Sequence, residues 1–208
     1  MTDRSNRLVV WTIQPATVWV LLHSEGTLTV DPRYSGNLHH CYEWLRERLS
    51  QMIPGYAGHY PWWAYCSRPD LRSVRHNKPC GELNYLIELL VPRDSVILSP
   101  SWAWEVIYQG QFLSPTRREA KDWVCRGKKA TADWEERWPL PEPWMSQLLA
   151  SWERLFDPSL PNSGWLETSL TSYSGREAVF EVLELSQVRQ VIAFHGSDPR
   201  MGIRRASS

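Results

Sequence analysis

The chain has 208 residues, which is enough for one domain with a substantial core, and 13 of them are tryptophan. Basic and acidic residues number 23 each, so a bulk positive field for nucleic acid is excluded, although a local basic cleft is not. The N-terminus lacks a cationic and apolar leader, and no apolar run approaches membrane-spanning length, so we expect a cytoplasmic protein without membrane contact.

The first third of the chain predicts alternating strands and helices. "RLVVWTIQP" is apolar, rich in β-branched residues and ended by Pro15, which is typical of a strand. Gly26 is a natural helix stop, and Asn37 is a candidate cap for a long amphipathic helix. The predicted elements are a strand at 7–15, a helix at 16–26, a strand at 27–30, a turn at 31–37 and a helix at 38–52.

The middle of the chain predicts a sheet followed by a helix. "PWWAYC" is a short strand candidate, "ELNYLIELLVP" (82–92) is a longer one, and "SVILS" (95–99) continues the sheet. The segment 100–110 has the pattern of a helix, with Ser99 as its cap and Gly110 as its end.

The composition changes around residues 113–142, which are highly charged and finish in prolines. We interpret this stretch as an inserted pair of surface helices, followed by an amphipathic helix at 143–158. The segments "GWLETSLTSY" and "REAVFEVLELSQVRQVIAFHG" are strand-like, and residues 196–208 form a basic tail that we expect to be flexible. These elements predict a single α+β domain over residues 1–195.

The common catalytic and nucleotide-binding signatures are missing. The sequence contains no G-x-G-x-x-G, Walker loop, G-x-S-x-G or H-E-x-x-H. The four cysteines form no C-x-x-C pair, and the spacing of Cys66, His76 and Cys80 matches no common zinc pattern. We therefore expect free thiols and no metal.

Polar residues at strand ends are the remaining candidates for a site. Thr12 and Gln14 share one face of the first predicted strand, either as site residues or as the wet face of an edge strand. Glu181 lies inside an apolar strand-like run, either as a pocket carboxylate or on the solvent face. Arg33 lies in a turn, where a guanidinium suits a phosphate but is also common as a surface residue.

An aromatic cluster, "HYPWWAYC" (59–66), precedes the long strand. It fits either a packed core or the wall of a pocket for a flat ligand. By strand alternation Trp62 and Ala64 point one way while Trp63 and Tyr65 point the other, so we expect at most one pair to line a site.

Several segments together resemble a known family. "WTIQP", "YPWWAY", "LIELLVPRDSVILSPSWAWEVI" and "SWERLFD" are similar to an uncharacterised bacterial family, domain of unknown function 3841. The order of these parts also resembles the DarT-like nucleic-acid ADP-ribosyltransferases, with "EVLELSQVRQVIAF" (181–194) as the closing strand. The first strand carries Thr12 and Gln14 where those enzymes have His or Arg.

That resemblance implies a fold and a site. The fold would be an ADP-ribosyltransferase-like α+β fold of split mixed β-sheets flanked by helices, with the charged helical insertion. Glu181 would be the catalytic carboxylate facing the ribose of NAD, which is the substrate. Thr12 and Gln14 would bind the nicotinamide or its ribose, and Arg33 would bind the pyrophosphate. Trp62 with Tyr65, or Trp63, would stack on the nicotinamide.

The implied function is transfer of ADP-ribose from NAD to a macromolecular acceptor, with nucleic acid favoured over protein. A toxin or anti-phage setting would add an antitoxin or chaperone as partner. The cations of the insertion would then face RNA or DNA, although such a run is also typical of a solvated surface. The alternatives are a non-catalytic aromatic groove that binds a nucleotide, RNA or peptide, and an enzyme of the same fold that removes a 2′-phosphate from RNA.

Overall fold

The computed structural model describes residues 6–33, 39–130, 139–162, 164 and 175–197. The backbone divides into two compact units. The first comprises Met1–Ile97 and Glu177–Ser208, and the second comprises Leu98–Arg176. Within the described part of the chain, no helix is both long enough and apolar enough to cross a bilayer. The organisation as a single domain over 1–195 stays a prediction.

The described elements give a mixed α+β architecture with several helices. The first unit opens with β1 (Arg7–Pro15), α1 (Ala16–Glu25), β2 (Thr27–Leu28), α2 (His39–Met52), β3 (Trp62–Tyr65), α3 (Leu71–Val74) and β4 (Leu83–Pro92). The strand β5 (Ile97–Pro100) leads into the second unit, which holds α4 (Ser101–Tyr108), α5 (Arg117–Ala130) and α6 (Trp144–Trp152). The chain returns through β6 (Arg176–Phe180), β7 (Leu183–Glu184) and β8 (Val188–His195).

Local sequence rules account for the first turn of the chain between β1 and α1. Pro15 ends the strand and has a φ of −65°, the angle its ring imposes, so α1 begins at the next residue. Gly26 has a φ of 74°, a conformation that costs glycine little, and its N–H donates to the carbonyl of Leu22. The predicted strand and the predicted helix stop are both confirmed.

Two of the predicted element boundaries are wrong, and two other predicted features fall on residues outside the described part of the chain. The helix α4 begins at Ser101 and not at Pro100, because Pro100 keeps an extended backbone with a ψ of 130° and Ser99 provides no cap. The strand expected at 27–30 is only the two-residue β2, with Val30 in an isolated bridge to Tyr60. Asn37 and the segment 165–174 lie outside the described residues.

The first unit is built on an antiparallel sheet. Its strand order is β6-β3-β1-β4-β8, and β2 and β7 form a separate two-stranded sheet. Every registered strand pairing within this unit is antiparallel. The described strands of the unit therefore form antiparallel sheets and not the mixed sheets that we expected. The strand β1 has a neighbour on each side, which rules out the edge-strand interpretation of Thr12 and Gln14.

The two sides of β1 are paired very unequally. On one side its whole length pairs with β4, from Arg7 opposite Pro92 to Pro15 opposite Asn84. On the other side, the register with β3 holds a single pair among the described residues, Trp11 opposite Tyr65. All four residues of β3 are instead paired with β6. The β3–β6 ribbon therefore separates from β1 after one residue pair, which opens a gap in the sheet.

The closing segment is not one continuous strand. The strand β6 ends at Phe180, and Glu181 and Val182 lie between β6 and β7. The strand β7 pairs with β2, away from the main sheet. A 3-10 turn at residues 185–187 then redirects the chain into β8, with a capping box formed by Glu184 and Gln187. The prediction that Glu181 lies within a strand is therefore wrong.

The second unit packs around a buried tryptophan and carries a partly exposed ion pair between Arg154 and Glu119. Trp152 is fully buried and donates from its indole to the carbonyl of Gln111 at 2.9 Å. Arg154 donates to Glu119 at 2.8 Å, and this contact lowers the pKa of Glu119 below its ordinary value. The helix α5 lies within the charged stretch, and its interpretation as part of an insertion stays a prediction. Residues 131–138 lie outside the described residues.

The end of β8 is docked against the loop before β4. Gly196 donates to the carbonyl of Glu82 and accepts from Gly81, both at 3.0 Å. A Cβ at position 196 would lie 2.0 Å from the carbonyl oxygen of Pro79, which is backbone and cannot rotate away. Only glycine permits this approach.

We predict that Gly196→Ala lowers the free energy of unfolding by about 1–3 kcal/mol, because the methyl group forces the two backbones apart. Chemical denaturation measures this difference. His195→Ala is the control, because His195 is exposed and its loss should cost less than about 0.5 kcal/mol. Equal unfolding curves for Gly196→Ala and the wild type would contradict the close approach.

Candidate functional site

A cavity of about 310 Å³ lies in the gap where β3 leaves β1. This volume is at the lower end of the roughly 300–1,000 Å³ that small-molecule sites span. All its lining residues belong to the first unit. They are Thr12, Ile13, Gln14, Val30, Tyr42, Tyr60, Pro61, Trp62, Trp63, Ala64, Tyr65, Lys78 and Glu177.

A short chain of hydrogen bonds crosses the gap between the two strands. The hydroxyl of Thr12 donates to the carbonyl of Trp63 at 3.0 Å. The amide nitrogen of Gln14 donates to the Thr12 hydroxyl oxygen at 2.7 Å. Thr12 is 2% exposed, and these bonds satisfy a hydroxyl group that is removed from water. The structure thus brings Thr12 and Gln14 together on the cavity wall.

The aromatic cluster forms the opposite wall of the cavity. Trp62, Trp63 and Tyr65 all line it, and the Trp62 indole is anchored by donation to the carbonyl of Leu28 at 3.1 Å. The expectation that only one alternating pair lines a site is wrong. The reason is that the cavity borders the unpaired edge of β3, so residues from both faces of the strand reach it.

Two further tyrosines complete this wall. Tyr60 belongs to the aromatic cluster at 59–66, whereas Tyr42 was given no site role from the sequence. Tyr42 and Tyr60 stack with ring centroids 5.3 Å apart and an interplanar angle of 21°. Tyr60 is 2% exposed, and its hydroxyl donates to Glu43 at 2.6 Å. The hydroxyl of Tyr60 therefore has its hydrogen-bond partner on α2, and the ring of Tyr60 presents an apolar surface to the cavity.

Glu177 and Lys78 are the charged residues of the cavity, and sequence reasoning assigned a site role to neither. Glu177 lies directly opposite Tyr65 in the β3–β6 pairing, so the two residues share a face of the ribbon. Lys78 follows the 3-10 turn at residues 75–77. An acid at the start of an apolar strand was the available signal for Glu177, but the same pattern is typical of a solvated strand end.

The structure places Glu181 at a loop and not among the cavity residues. Its carboxylate accepts from the backbone N–H groups of Ala57 and His59, both at 2.8 Å. Burial raises the pKa of the nearby Tyr56, and the negative charge of Glu181 raises it further. Tyr56 in turn donates to the carbonyl of His59. Glu181 therefore holds the loop that leads into β3 and the cavity wall.

Arg33 also lies away from the cavity lining. Its side chain is 87% exposed and contacts Asp31 at 2.5 Å. Hydrogen bonds from Arg33 hold the pKa of the Asp31 carboxyl below its ordinary value. The guanidinium thus closes its own turn, and Lys78 is the cation that lines the cavity.

The described part of the chain shows no group of three or more histidine, cysteine or acidic side chains arranged to hold a metal. All four cysteines are free thiols. Burial raises the pKa of Cys41 to about 12, so its thiol stays protonated at neutral pH. His76 contacts the hydroxyl of Ser197 at 3.1 Å.

Residues 9–178 match the family described as Domain of unknown function (DUF3841), and the chain belongs to that family. The match covers β1 from residue 9 onward, the cavity residues of β3 and the start of β6. No curated protein and no solved structure matches the chain. Any assignment of chemistry therefore depends on the cavity itself.

We predict that Glu181→Gln loosens the 57–59 loop, because a glutamine offers one acceptor oxygen where the carboxylate offers two. The amides of Ala57 and His59 should exchange with deuterium faster, and the free energy of unfolding should fall by about 1–3 kcal/mol. Glu82→Gln, at an exposed position, is the charge-matched control. Unchanged exchange at both amides would contradict the clamp.

Proposed function

We propose that this protein is an NAD-dependent ADP-ribosyltransferase that acts on a macromolecular acceptor. The observation that carries the proposal is the cavity between β1 and β3, which combines an amide and hydroxyl wall, an aromatic wall, one carboxylate and one cation. Those four kinds of group are complementary to the aromatic base, ribose and pyrophosphate of a dinucleotide. The cavity volume of about 310 Å³ suits the nicotinamide and ribose half of NAD.

The proposed fold relation is to ADP-ribosyltransferases with split sheets. It is supported by the single-pair junction of β1 and β3, and by the helix α1 that follows β1 and ends at Gly26. Both features lie within the segment that matches the DUF3841 family. The proposed cytoplasmic role is that of a toxin or anti-phage effector, held in check by an antitoxin or chaperone.

Glu177 takes the catalytic role in this proposal, in place of Glu181. Breaking the bond between nicotinamide and ribose passes through a state with positive charge on the sugar, which a fixed carboxylate stabilises. Glu177 lines the cavity together with Thr12 and Gln14, whereas the carboxylate of Glu181 accepts two backbone hydrogen bonds from the 57–59 loop.

The transfer step exchanges one bond at the ribose C1′ for another. The bond between ribose C1′ and the nicotinamide nitrogen breaks, and nicotinamide leaves with the electron pair. A nucleophilic atom of the acceptor then bonds to C1′ and releases its proton to water. Trp62 and Trp63 exclude competing water from the sugar, and Lys78 pairs with the pyrophosphate.

The proposed acceptor is a nucleic acid, because α5 presents an exposed cationic surface. The helix buries Trp123 and Gly127 and exposes most of its basic side chains. Phosphate contacts from such a surface are sequence-independent and weaken with salt. The basic residues of this segment are Arg117, Arg118, Lys121, Arg126, Lys128 and Lys129.

A second candidate function is a non-catalytic binding groove for a nucleotide, RNA or peptide. The stacked Tyr42 and Tyr60 together with Trp62 and Trp63 favour it, since base stacking on aromatic rings needs no carboxylate. In that case Glu177 would be dispensable for binding, and nicotinamide would not be released.

We predict that Glu177→Gln lowers nicotinamide release from NAD by about 10²–10³-fold while the protein stays folded. Chromatographic detection of nicotinamide, with mixed nucleic acid as acceptor, measures this rate. Glu181→Gln is the matched control, and per folded molecule it should retain turnover because its carboxylate serves the loop. Loss of turnover in Glu181→Gln alone would reverse the two roles. If the wild type binds NAD without turnover, the binding groove is favoured.

We predict that Lys78→Met weakens NAD binding about tenfold, because an ammonium group paired with a phosphate is lost. The loss should shrink as salt rises, since the interaction is electrostatic. Isothermal titration at two salt concentrations measures both effects. Arg33→Met removes an equal charge from a position outside the cavity and should leave the affinity unchanged. Equal losses in both variants would place the phosphate elsewhere.

A further inference from the structure

The hydrogen-bond chain on the cavity wall has a fixed direction. The carbonyl oxygen of Trp63 can only accept, so the hydroxyl hydrogen of Thr12 must point at it. Thr12 then has only lone pairs to offer Gln14, so Gln14 must turn its NH₂ group toward Thr12. The carbonyl of Trp63 thereby sets the orientation of the Gln14 amide through one intervening hydroxyl.

This orientation leaves the amide oxygen of Gln14 as the group available to a ligand. Among the described residues, no side chain or backbone group donates to that oxygen, and the only hydrogen bond of the Gln14 side chain is the one to Thr12. Gln14 is half-buried on the cavity wall. A partly desolvated acceptor of this kind favours a ligand that brings an N–H or O–H donor to it.

The carboxylate of Glu177 reinforces the same preference. It lines the cavity with Gln14, so two of the polar groups there are acceptors. Beside these two groups, a ligand group that is itself an acceptor, such as a carboxylate or a ring carbonyl, is repelled. Lys78, the cation of the cavity, is assigned to the pyrophosphate in the proposed function. A ligand NH₂ group does not.

We infer that Gln14, oriented by Thr12, is a specificity residue that selects a planar ring carrying an NH₂ donor and rejects the same ring carrying an oxygen acceptor. This inference rests on the proposed function, because NAD supplies such a donor at each end. One is the carboxamide of nicotinamide, and the other is the amine of adenine. Thr12 is a positioning residue, since it acts on the ligand only through the direction of the Gln14 amide.

Affinities for three dinucleotides test the inference. NAD is compared with nicotinic acid adenine dinucleotide, which lacks the carboxamide NH₂, and with nicotinamide hypoxanthine dinucleotide, which lacks the adenine amine. Wild-type protein should bind one of the two analogues at least about tenfold more weakly than NAD. The analogue that is rejected identifies the ring that contacts Gln14.

The variant Thr12→Val removes the hydroxyl at nearly constant volume and frees the Gln14 amide to rotate. The affinity ratio between NAD and the rejected analogue should fall toward one, even if all three affinities weaken together. Thr12→Ser keeps the hydroxyl and should keep the ratio. If Thr12→Val does not fold, Gln14→Leu serves instead. It removes the acceptor oxygen and should also bring the affinity ratio between NAD and the rejected analogue close to one.

The outcomes separate the inference from the proposed function. If the wild type binds NAD and both analogues equally, or if Thr12→Val keeps the wild-type ratio, the role of Gln14 is overturned and NAD binding stands. If none of the three dinucleotides binds, the proposed function fails and the inference fails with it.

Discussion

The hydrogen bond from Thr12 to the carbonyl of Trp63 is the interaction on which the site depends. Strands β1 and β3 share a single registered pair, Trp11 opposite Tyr65, and their ladder stops there. The Thr12 hydroxyl spans the two strands just past that pair at 3.0 Å. Without it, the carbonyl of Trp63 would lose this donor and the Thr12 hydroxyl would keep only the bond from Gln14, at a cost of about 1–3 kcal/mol. The gap is therefore held open at a defined width, and the cavity occupies it.

Glu177 and Glu181 are four residues apart, but they lie on opposite sides of the end of β6 and make different contacts. Glu177 is inside β6 and is paired with Tyr65 of β3, and both residues line the cavity. Glu181 lies one residue beyond the end of β6, where its carboxylate accepts two N–H groups of the 57–59 loop. That loop continues directly into the aromatic wall. One carboxylate thus lines the cavity, and the other supports the loop that leads into its wall.

The cavity combines several kinds of ligand-binding group. Stacked rings, an oriented amide, one acid and one lysine surround a space of about 310 Å³. Much of the wall is rigid, since Trp62 is anchored to the carbonyl of Leu28 and the Tyr60 hydroxyl donates to Glu43. Rigid walls reduce the entropy lost when a ligand binds. These properties support the proposed transferase within the DUF3841 family and equally explain why a pure binder is the natural alternative.

The sequence by itself determined the local elements. Alternation and Pro15 define β1, Gly26 defines the end of α1, and spacing of apolar residues defines α2, because each of these signals acts within a few residues. It also singled out Thr12, Gln14 and the aromatic cluster, which do converge. Only the tertiary structure decided that Glu177 and Lys78 join them while Arg33 and Glu181 do not. That choice depends on strand register and on which loop donates N–H groups, and both are set by contacts between residues more than a hundred positions apart.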